Sequence, residues 1–196
     1  NVEDVSIGVG TDKRIGGRFL RAGPAYGGSC FPKDTRALVD TAKKSKTSLS
    51  VINTVINSND KRSGLLLNRI NYILKNKIKN KNITFLGVTF KANTDDMRES
   101  ASLKMIPYLN RKGAKIKYYD PTGKKTEFDK FKNVQFKNNI KDACEKSDLI
   151  IIHTEWNEFK LIDLKKIVKK RNFIIFDMRN IYSAEKMKKQ KIKYFG

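Results

Sequence analysis

From residue 83 onward the sequence alternates short apolar runs with longer amphipathic ones, and this alternation restricts the fold more than any other feature. Apolar runs of strand length occur at residues 83–88, 115–119, 134–136, 148–153, 173–177 and 192–195. Helical patterns lie between them at residues 100–112, 139–146, 161–170 and 183–188. Strands that are joined through helices pair in parallel, with right-handed crossovers. The sequence therefore predicts an α/β fold containing a Rossmann-like, mostly parallel sheet.

The first 80 residues have a different pattern, which predicts a helical segment ahead of the sheet. A helix over residues 2–9 is followed by a glycine-rich loop to residue 30 and by a second helix over residues 34–44. Apolar residues then recur at helical spacing in a long third helix that begins at Ser48 or Ser50 and ends near Lys77. We expect a central helical unit at residues 1–80 and a sheet domain at residues 81–196. The long helix is expected to form a spine between domains or a dimer interface.

The chain is strongly basic, with 42 lysine and arginine residues against 20 acidic ones and a formal charge of +22. Of the basic residues 32 are lysines, and they are spread along the chain rather than clustered. This distribution favours a solvated surface over a nucleic-acid site, although its field would still attract a small anionic substrate. No apolar run approaches the roughly 20 residues of a membrane helix. The chain opens without a signal-peptide pattern, and its two distant cysteines fit a reducing cytoplasm.

The segment at residues 26–34 carries the most informative chemistry. Cys30 follows two glycines on a loop that we expect to enter a helix opened by Pro32. The helix dipole and Lys33 would favour a thiolate, which is the nucleophilic form of cysteine. Asp34 lies about one helical turn further on and could act as its acid/base neighbour. The residues alone leave a second reading open, in which Cys30 is a buried structural cysteine.

Three loops follow strands of the predicted sheet and should share its carboxyl edge, where ligands bind in such folds. They span residues 87–96, 153–156 and 177–180. The first lacks the pattern G-x-G-x-x-G, so a dinucleotide is not expected in this half. Lys91, Arg98 and Arg179 could instead contact phosphate, and Phe90 could lie against a base or sugar ring. A solvated edge with ordinary helix caps is the alternative.

Several other reactive residues are expected to be structural. Cys144 lies in a predicted helix, and the single histidine, His153, is expected to be a satisfied residue at a strand end without a metal site. Glu155 and Trp156 are assigned to the architecture of a pocket. Acidic residues ahead of the helix at residues 100–112 are expected to cap its start, where negative charge is favourable; these are Asp95, Asp96 and Glu99.

Motifs along the whole chain resemble, in order, those of the UDP-glucose/GDP-mannose dehydrogenase family, with details closest to its bacterial UDP-glucose 6-dehydrogenase members. They are Arg14-Ile15-Gly16, Phe19-Leu20, Gly23-Pro24, the segment at residues 26–34, Phe90-Lys91, the segment at residues 95–99, Thr154-Glu155-Trp156 and the segment at residues 177–180. Members of this family begin with an NAD-binding Rossmann domain that is absent from this sequence. The chain thus resembles their central and C-terminal parts, and we expect the fragment alone to be inactive.

The resemblance implies an oxidoreductase that oxidises the C6 alcohol of UDP-glucose to the uronate with NAD as cofactor. Cys30 and Asp34 would be catalytic, with a thiohemiacetal and then a thioester on Cys30. Cofactor contacts are implied for Cys30, Lys33 and Arg98. Substrate contacts are implied for Arg14, Arg21, Ala22, Gly23, Pro24, Ala25, Tyr26, Gly27, Phe90, Lys91 and Arg179. Arg14 would reach the substrate of a neighbouring subunit, which implies a homodimer or larger homo-oligomer.

Other functions remain open from the sequence. GDP-mannose or a UDP-N-acetylhexosamine could replace UDP-glucose, because the base and sugar contacts depend on loop shape. A non-catalytic nucleotide-sugar sensor would keep the pocket but not need the thiol. A basic nucleic-acid-binding module is the alternative from another class, while the leading interpretation involves neither nucleic acid nor a membrane.

Overall fold

In a computed structural model that describes residues 2–17 and 19–196, three helices precede the sheet. They are α1 (Val2–Gly10), α2 (Cys30–Lys44) and α3 (Ser50–Ile73). The predicted third helix is too long, because Lys75 and Asn76 adopt positive φ angles of 51° and 58°. That conformation ends a helix. The predicted second helix starts too late, since α2 already begins at Cys30.

The described residues of the second part form a six-stranded sheet in which every neighbouring pair is parallel. Its strands are β1 (Asn82–Leu86), β2 (Lys115–Tyr119), β3 (Val134–Phe136), β4 (Leu149–Ile152), β5 (Ile174–Asp177) and β6 (Lys193–Phe195). The spatial order is β3-β2-β1-β4-β5-β6. This is the doubly wound order, and it reverses between β1 and β4. The predicted α/β fold with a Rossmann-like parallel sheet is confirmed.

Short helices connect the strands. They are α4 (Ser102–Arg111), α5 (Ile140–Cys144), α6 (Asn157–Lys160), α7 (Leu164–Ile167) and α8 (Ala184–Lys189), together with a 3₁₀ turn at Thr126–Phe128. The helix predicted at residues 161–170 is too long, because α6 ends at Lys160 and only α7 (Leu164–Ile167) forms within that range, after a break. Phe159 and Leu164 are both buried in the same core cluster. Their five-residue separation does not fit one helical face, and the break lets both side chains reach the core.

The sheet has an apolar core on each face. Ile151 of β4 belongs to the cluster that also contains Ile70 and Ile73 of α3, whereas its neighbours Ile150 and Ile152 belong to the cluster on the other face. This is the alternation expected of a strand that is buried on both sides. The long helix α3 therefore packs into the same core as the sheet. None of the described helices is long and apolar enough to cross a membrane.

The loop after β1 is fixed at the carboxyl edge of the sheet by buried polar contacts. The backbone N–H of Val88 donates to the carboxylate of Asp120 at 2.8 Å, and the hydroxyl of Thr154 donates to the Thr89 carbonyl at 2.8 Å. Gly87 has a φ of 74°, and a Cβ added there would lie 2.4 Å from the Cβ of Thr154. The loops after β1 and β4 therefore meet at a distance that only glycine permits.

We expect Gly87→Ala to destabilise the fold much more than Gly123→Ala. Both residues have a positive φ (74° and 90°), but no described atom lies within 4 Å of a Cβ built at Gly123. Gly123→Ala should cost only the backbone strain, about 1–2 kcal/mol. Gly87→Ala adds the clash with Thr154 and should cost at least about 2 kcal/mol more. Urea unfolding measures both, and equal losses would contradict the close approach of the two loops.

Candidate functional site

Cys30 is the first residue of α2 and is exposed to solvent. The Ser29 hydroxyl lies 3.5 Å from its sulfur. Pro32 is the third helical residue rather than the opening one, a first-turn position where its missing N–H costs no intrahelical bond. The sulfur is therefore accessible at a helix N-terminus, and the reading of Cys30 as a buried structural cysteine is wrong.

Two cations lie within electrostatic reach of Cys30. The hydrogen bond and charge of Asp34, whose carboxylate is 2.5 Å from the ammonium of Lys33, raise the pKa of Lys33, and a thiolate at Cys30 acts in the same direction. The pKa of Arg98 is raised chiefly by its hydrogen bond to Asp96 and, to a smaller extent, by a thiolate at Cys30. The sequence predicts that Lys33 and Asp34 lie near Cys30. The structure adds Arg98, which belongs to the sheet domain.

Asp96 has a different partner from the one predicted. Its carboxylate accepts two hydrogen bonds from the Arg98 guanidinium, each 2.9 Å long, and one from the Arg98 backbone N–H at 2.8 Å. The hydrogen bond from Arg98 is the main reason why the pKa of Asp96 is lowered. Because α4 begins only at Ser102, the prediction that Asp96 caps this helix is wrong. Asp96 holds the Arg98 side chain instead.

The glycines before Cys30 rest on the sheet domain. The N–H of Gly28 donates to the Arg98 carbonyl at 2.8 Å. A Cβ built at Gly28 would lie 2.8 Å from the tip of the Phe90 ring, and one at Gly27 would lie 2.7 Å from the Glu99 carbonyl oxygen. The Phe90 ring is therefore packed beneath the Gly27-Gly28 backbone. Larger side chains at either position would push the loop off this surface.

Helix α3 holds the same loop from the other side. The amide side chain of Asn59 accepts a hydrogen bond from the Tyr26 N–H at 2.9 Å and donates one to the Tyr26 carbonyl at 3.2 Å. The Tyr26 ring packs edge-on against Phe31, with centroids 4.7 Å apart. Asn59 was not predicted as a site residue, and the only signal in the sequence is an amide in the middle of an amphipathic helix.

Arg179, which follows β5, binds the loops after β1 and β4. Its Nη2 donates to the Phe90 carbonyl at 2.9 Å and its Nε donates to the His153 carbonyl at 3.0 Å. The Glu155 carboxylate lies 2.9 Å from the same Nε, and the Arg179 side chain is only 11% exposed. Burial lowers the pKa of Arg179, while the charges of Glu155 and Asp177 oppose that change.

Arg179 also touches the central segment. A Cβ built at Gly23 would lie 2.8 Å from Nη1 of Arg179. The Arg179 backbone N–H donates to Asp177 at 3.0 Å, as does that of Tyr182. Burial raises the pKa of the Asp177 carboxyl, against the opposing effect of these hydrogen bonds. The loop at residues 23–28, called the glycine loop below, therefore rests on Arg179 at one end and on Phe90 at the other.

A cleft of ≈ 1390 Å³ opens beside Arg179, between the central segment and the carboxyl edge of the sheet. Arg21 and Ala22 line it from the central segment, and Glu155 and Arg179 from the sheet domain. Further lining residues include Arg69, Lys160, Asn180, Tyr182, Tyr194 and Phe195. Cys30 is not among its lining residues and lies at the opposite end of the glycine loop.

The predicted site residues are thus divided between three places. Arg21 and Ala22 line the cleft, and Gly23 lies against Arg179 beside it. Gly27 lies on Phe90, in the loop that leads to Cys30. Lys91 is exposed, with its ammonium 5.4 Å from the centre of the Phe90 ring. Pro24 is buried and Ala25 packs against the core. Arg14 lies apart from both places in a loop after α1, where it pairs with Asp12 at 2.6 Å.

His153 is only half satisfied, which corrects the prediction of a fully satisfied strand-end histidine. Its ring is buried, and Nδ1 lies 3.1 Å from the Thr154 hydroxyl. Nε2 has no hydrogen-bond partner among the described residues. Burial, with a smaller effect of the Arg179 charge, lowers the pKa of His153 to about 3. The ring is therefore neutral at physiological pH.

Comparison with known families decides the affiliation. The sequence model of the UDP binding domain of the UDP-glucose/GDP-mannose dehydrogenase family matches residues 84–184, just over half of the chain. The chain belongs to this family. The model of the family's central domain matches residues 1–61, which contain Cys30 and the glycine loop. The sheet that carries Phe90 and Arg179 is accordingly the family's UDP binding domain.

Individual relatives agree with this assignment. A UDP-glucose 6-dehydrogenase of Rickettsia felis is 39% identical over 100% of this chain and 44% of its own length, and one of Rhizobium meliloti is 37% identical over 99% and 45%. A solved UDP-glucose dehydrogenase from Pyrobaculum islandicum superposes with a TM-score of 0.82 at 26% identity, covering 98% of this chain and 42% of that one. The chain therefore spans less than half the length of these relatives.

We expect one thiol of the folded chain to react with an aromatic disulfide reagent. Cys30 is exposed, whereas Cys144 is fully buried and burial raises its pKa to about 12. Cys144 should therefore react only after unfolding in urea. Cys30→Ser should remove the native reaction and leave the second thiol detectable in urea. Two thiols reacting at the same rate without denaturant would contradict the described packing.

The neutral His153 ring should make the fold sensitive to mild acid. Its folded pKa of about 3 lies below the ordinary value of 6.5, so the unfolded chain takes up the proton first as the pH falls below about 6.5. Between about pH 7.5 and pH 5 this group should cost roughly 2 kcal/mol of unfolding free energy. Comparing urea unfolding of the wild type and His153→Gln at both pH values isolates this loss. A loss of equal size in the two proteins would contradict the burial of a titratable ring.

Proposed function

We propose that the protein containing this chain oxidises the C6 alcohol of UDP-glucose to the uronate, with Cys30 as the covalent nucleophile. The observation that carries the proposal is an exposed thiol at a helix N-terminus, on a loop that rests directly on the UDP binding domain. The names of the relatives, which are UDP-glucose 6-dehydrogenases, support the same substrate.

The chemistry explains why this position needs a thiol. After a first oxidation of the alcohol to the aldehyde, the Cys30 thiolate adds to C6 and forms a thiohemiacetal. Loss of a hydride from C6 converts this adduct into a thioester, and water then releases the carboxylate and returns the thiol. Asp34 is placed four residues along α2, where it could accept and return the proton during addition and hydrolysis. A thioester is the better acyl donor in the last step than an oxygen ester would be.

The cleft is the proposed seat of the nucleotide sugar. Arg21 and Arg179 line it and can meet a diphosphate with charged guanidinium groups. Further substrate contacts are proposed for the loop at residues 21–27 and for Lys91. The sugar would extend from the cleft along the loop at residues 23–28 towards Cys30. Arg14, with its exposed pair to Asp12, is proposed to act on a neighbouring subunit.

Each of the two oxidations releases one hydride from C6, and two NAD molecules in turn would accept these hydrides. This chain would contribute only side chains to the cofactor site. The loop after β1 lacks the pattern G-x-G-x-x-G that holds a dinucleotide pyrophosphate through backbone groups. Lys33 and Arg98 are both cationic and both lie within electrostatic reach of Cys30. They are therefore proposed to contact the anionic cofactor.

A homo-oligomer is proposed for the same protein. Apolar side chains are exposed on one face of α3, with Val51 at 75% and Val55 at 43%. The α3 residues that join the shared core lie further along the helix, in its C-terminal half; they are Leu66, Leu67, Ile70 and Ile73. Exposed apolar surface of this kind is typical of protein interfaces. A reducing cytoplasm would keep Cys30 as a free thiol.

Calorimetry and turnover of the full-length protein test the proposed function together. UDP-glucose should bind more tightly than GDP-mannose or a random single-stranded RNA. Cys30→Ala should lower uronate formation by more than about 1000-fold while UDP-glucose binding is kept, because the thiol acts on C6 and not on the nucleotide.

The control for that experiment is Cys144→Ala, which removes the buried thiol and should keep turnover. Preference for GDP-mannose would redirect the proposal to that sugar nucleotide, and preference for RNA would reject the enzyme. Undiminished turnover of Cys30→Ala would reject the thioester route.

A further inference from the structure

The Phe90 ring and the two glycines before Cys30 form one contact. A Cβ at Gly28 would lie 2.8–3.1 Å from three atoms at the tip of the Phe90 ring, and one at Gly27 would lie 2.9 Å from the Phe90 Cβ. The backbone of both glycines therefore lies directly on the side chain. Cys30 lies two residues after Gly28, so the position of the glycine backbone on the ring determines the position of Cys30.

The backbone around this contact is held in unusual conformations. Gly28 has a φ of 83° and Glu99, whose carbonyl faces Gly27, has a φ of 54°. The Gly28 N–H is bonded to the Arg98 carbonyl at 2.8 Å. A non-glycine residue at positive φ persists only where its surroundings determine it. The segment at residues 98–99 is thus shaped to receive the glycines, next to the ring on which they rest.

The backbone of Phe90 is bonded on both sides to other residues of the sheet domain. Its carbonyl accepts Nη2 of Arg179 at 2.9 Å, and its N–H donates to the Asp96 carbonyl at 3.3 Å. The ammonium of Lys91 lies 5.4 Å from the centre of the ring. The backbone of Phe90 is therefore held in place by the sheet domain, and its ring extends from that backbone to the two glycines.

We propose that Phe90 is a positioning residue for Cys30. The Phe90 ring determines where the Cys30 sulfur lies relative to the substrate in the cleft. This inference rests on the proposed role of Cys30 and assigns Phe90 a role different from the substrate contact that the family resemblance implies. A small displacement of a reacting group costs turnover far more than binding. A substrate contact made equally in the ground state would instead change KM.

The split between kcat and KM in the full-length protein tests the proposal. Phe90→Leu should lower kcat roughly 10–100-fold and change KM for UDP-glucose by less than about twofold. Phe131→Leu is the matched control, because Phe131 is also half-buried and has the ammonium of Lys130 5.5 Å from its ring centre. It precedes β3, and its replacement should change neither constant.

Hydrogen exchange gives a readout that does not need turnover. In Phe90→Leu the amides of residues 26–31 should exchange faster, including that of Gly28, while Phe131→Leu leaves them at the wild-type rate. A KM increase larger than the kcat loss, or unchanged exchange in Phe90→Leu, overturns the proposal. Absence of turnover in the wild type would instead reject the proposed function, and the exchange measurement would still decide whether Phe90 holds the loop.

Discussion

The Arg179 guanidinium is the interaction on which the two parts of the chain depend. It binds the carbonyls of Phe90 and His153, pairs with Glu155 and lies against Gly23. A buried cation is costly unless carboxylates and hydrogen bonds compensate it. Glu155 and the nearby charge of Asp177 provide that compensation. The same group that could bind an anionic ligand therefore also fixes the loops after β1 and β4.

The glycine loop obtains its order from the sheet domain. Glycine-rich segments lose the most conformational entropy on folding, so such a loop does not hold one shape by itself. Here each glycine faces a particular group, with Gly23 on Arg179, Gly27 on the Glu99 carbonyl and Gly28 on the Phe90 ring. These approaches require the absence of a Cβ. The geometry of Cys30 is consequently a property of the interface between the two parts.

The sequence predicted the features that local patterns record, and it missed contacts between residues that lie far apart in the chain. Alternating apolar runs were sufficient for the parallel sheet. Local motifs were sufficient to place Cys30 near a helix start, although α2 begins at Cys30 itself and not after it. The contact of Phe90 with Gly28 and the bonds of Asn59 to Tyr26 join residues far apart in sequence, and no periodic pattern records them. Asp96 was assigned to a helix cap because acidic residues favour helix starts, but a guanidinium two residues away competes more strongly.

The large positive charge and the local site have different physical roles. Thirty-two lysines are spread along the chain and produce a diffuse field that salt screens over about 10 Å. The cleft is lined by three arginines, Arg21, Arg69 and Arg179, together with Lys160. A guanidinium presents a planar set of donors that matches phosphate oxygens, whereas an ammonium acts as a point charge. The lysine surface can thus raise the local concentration of any anion, and selection among anions is left to the arginines of the cleft and the shape of the loop above them.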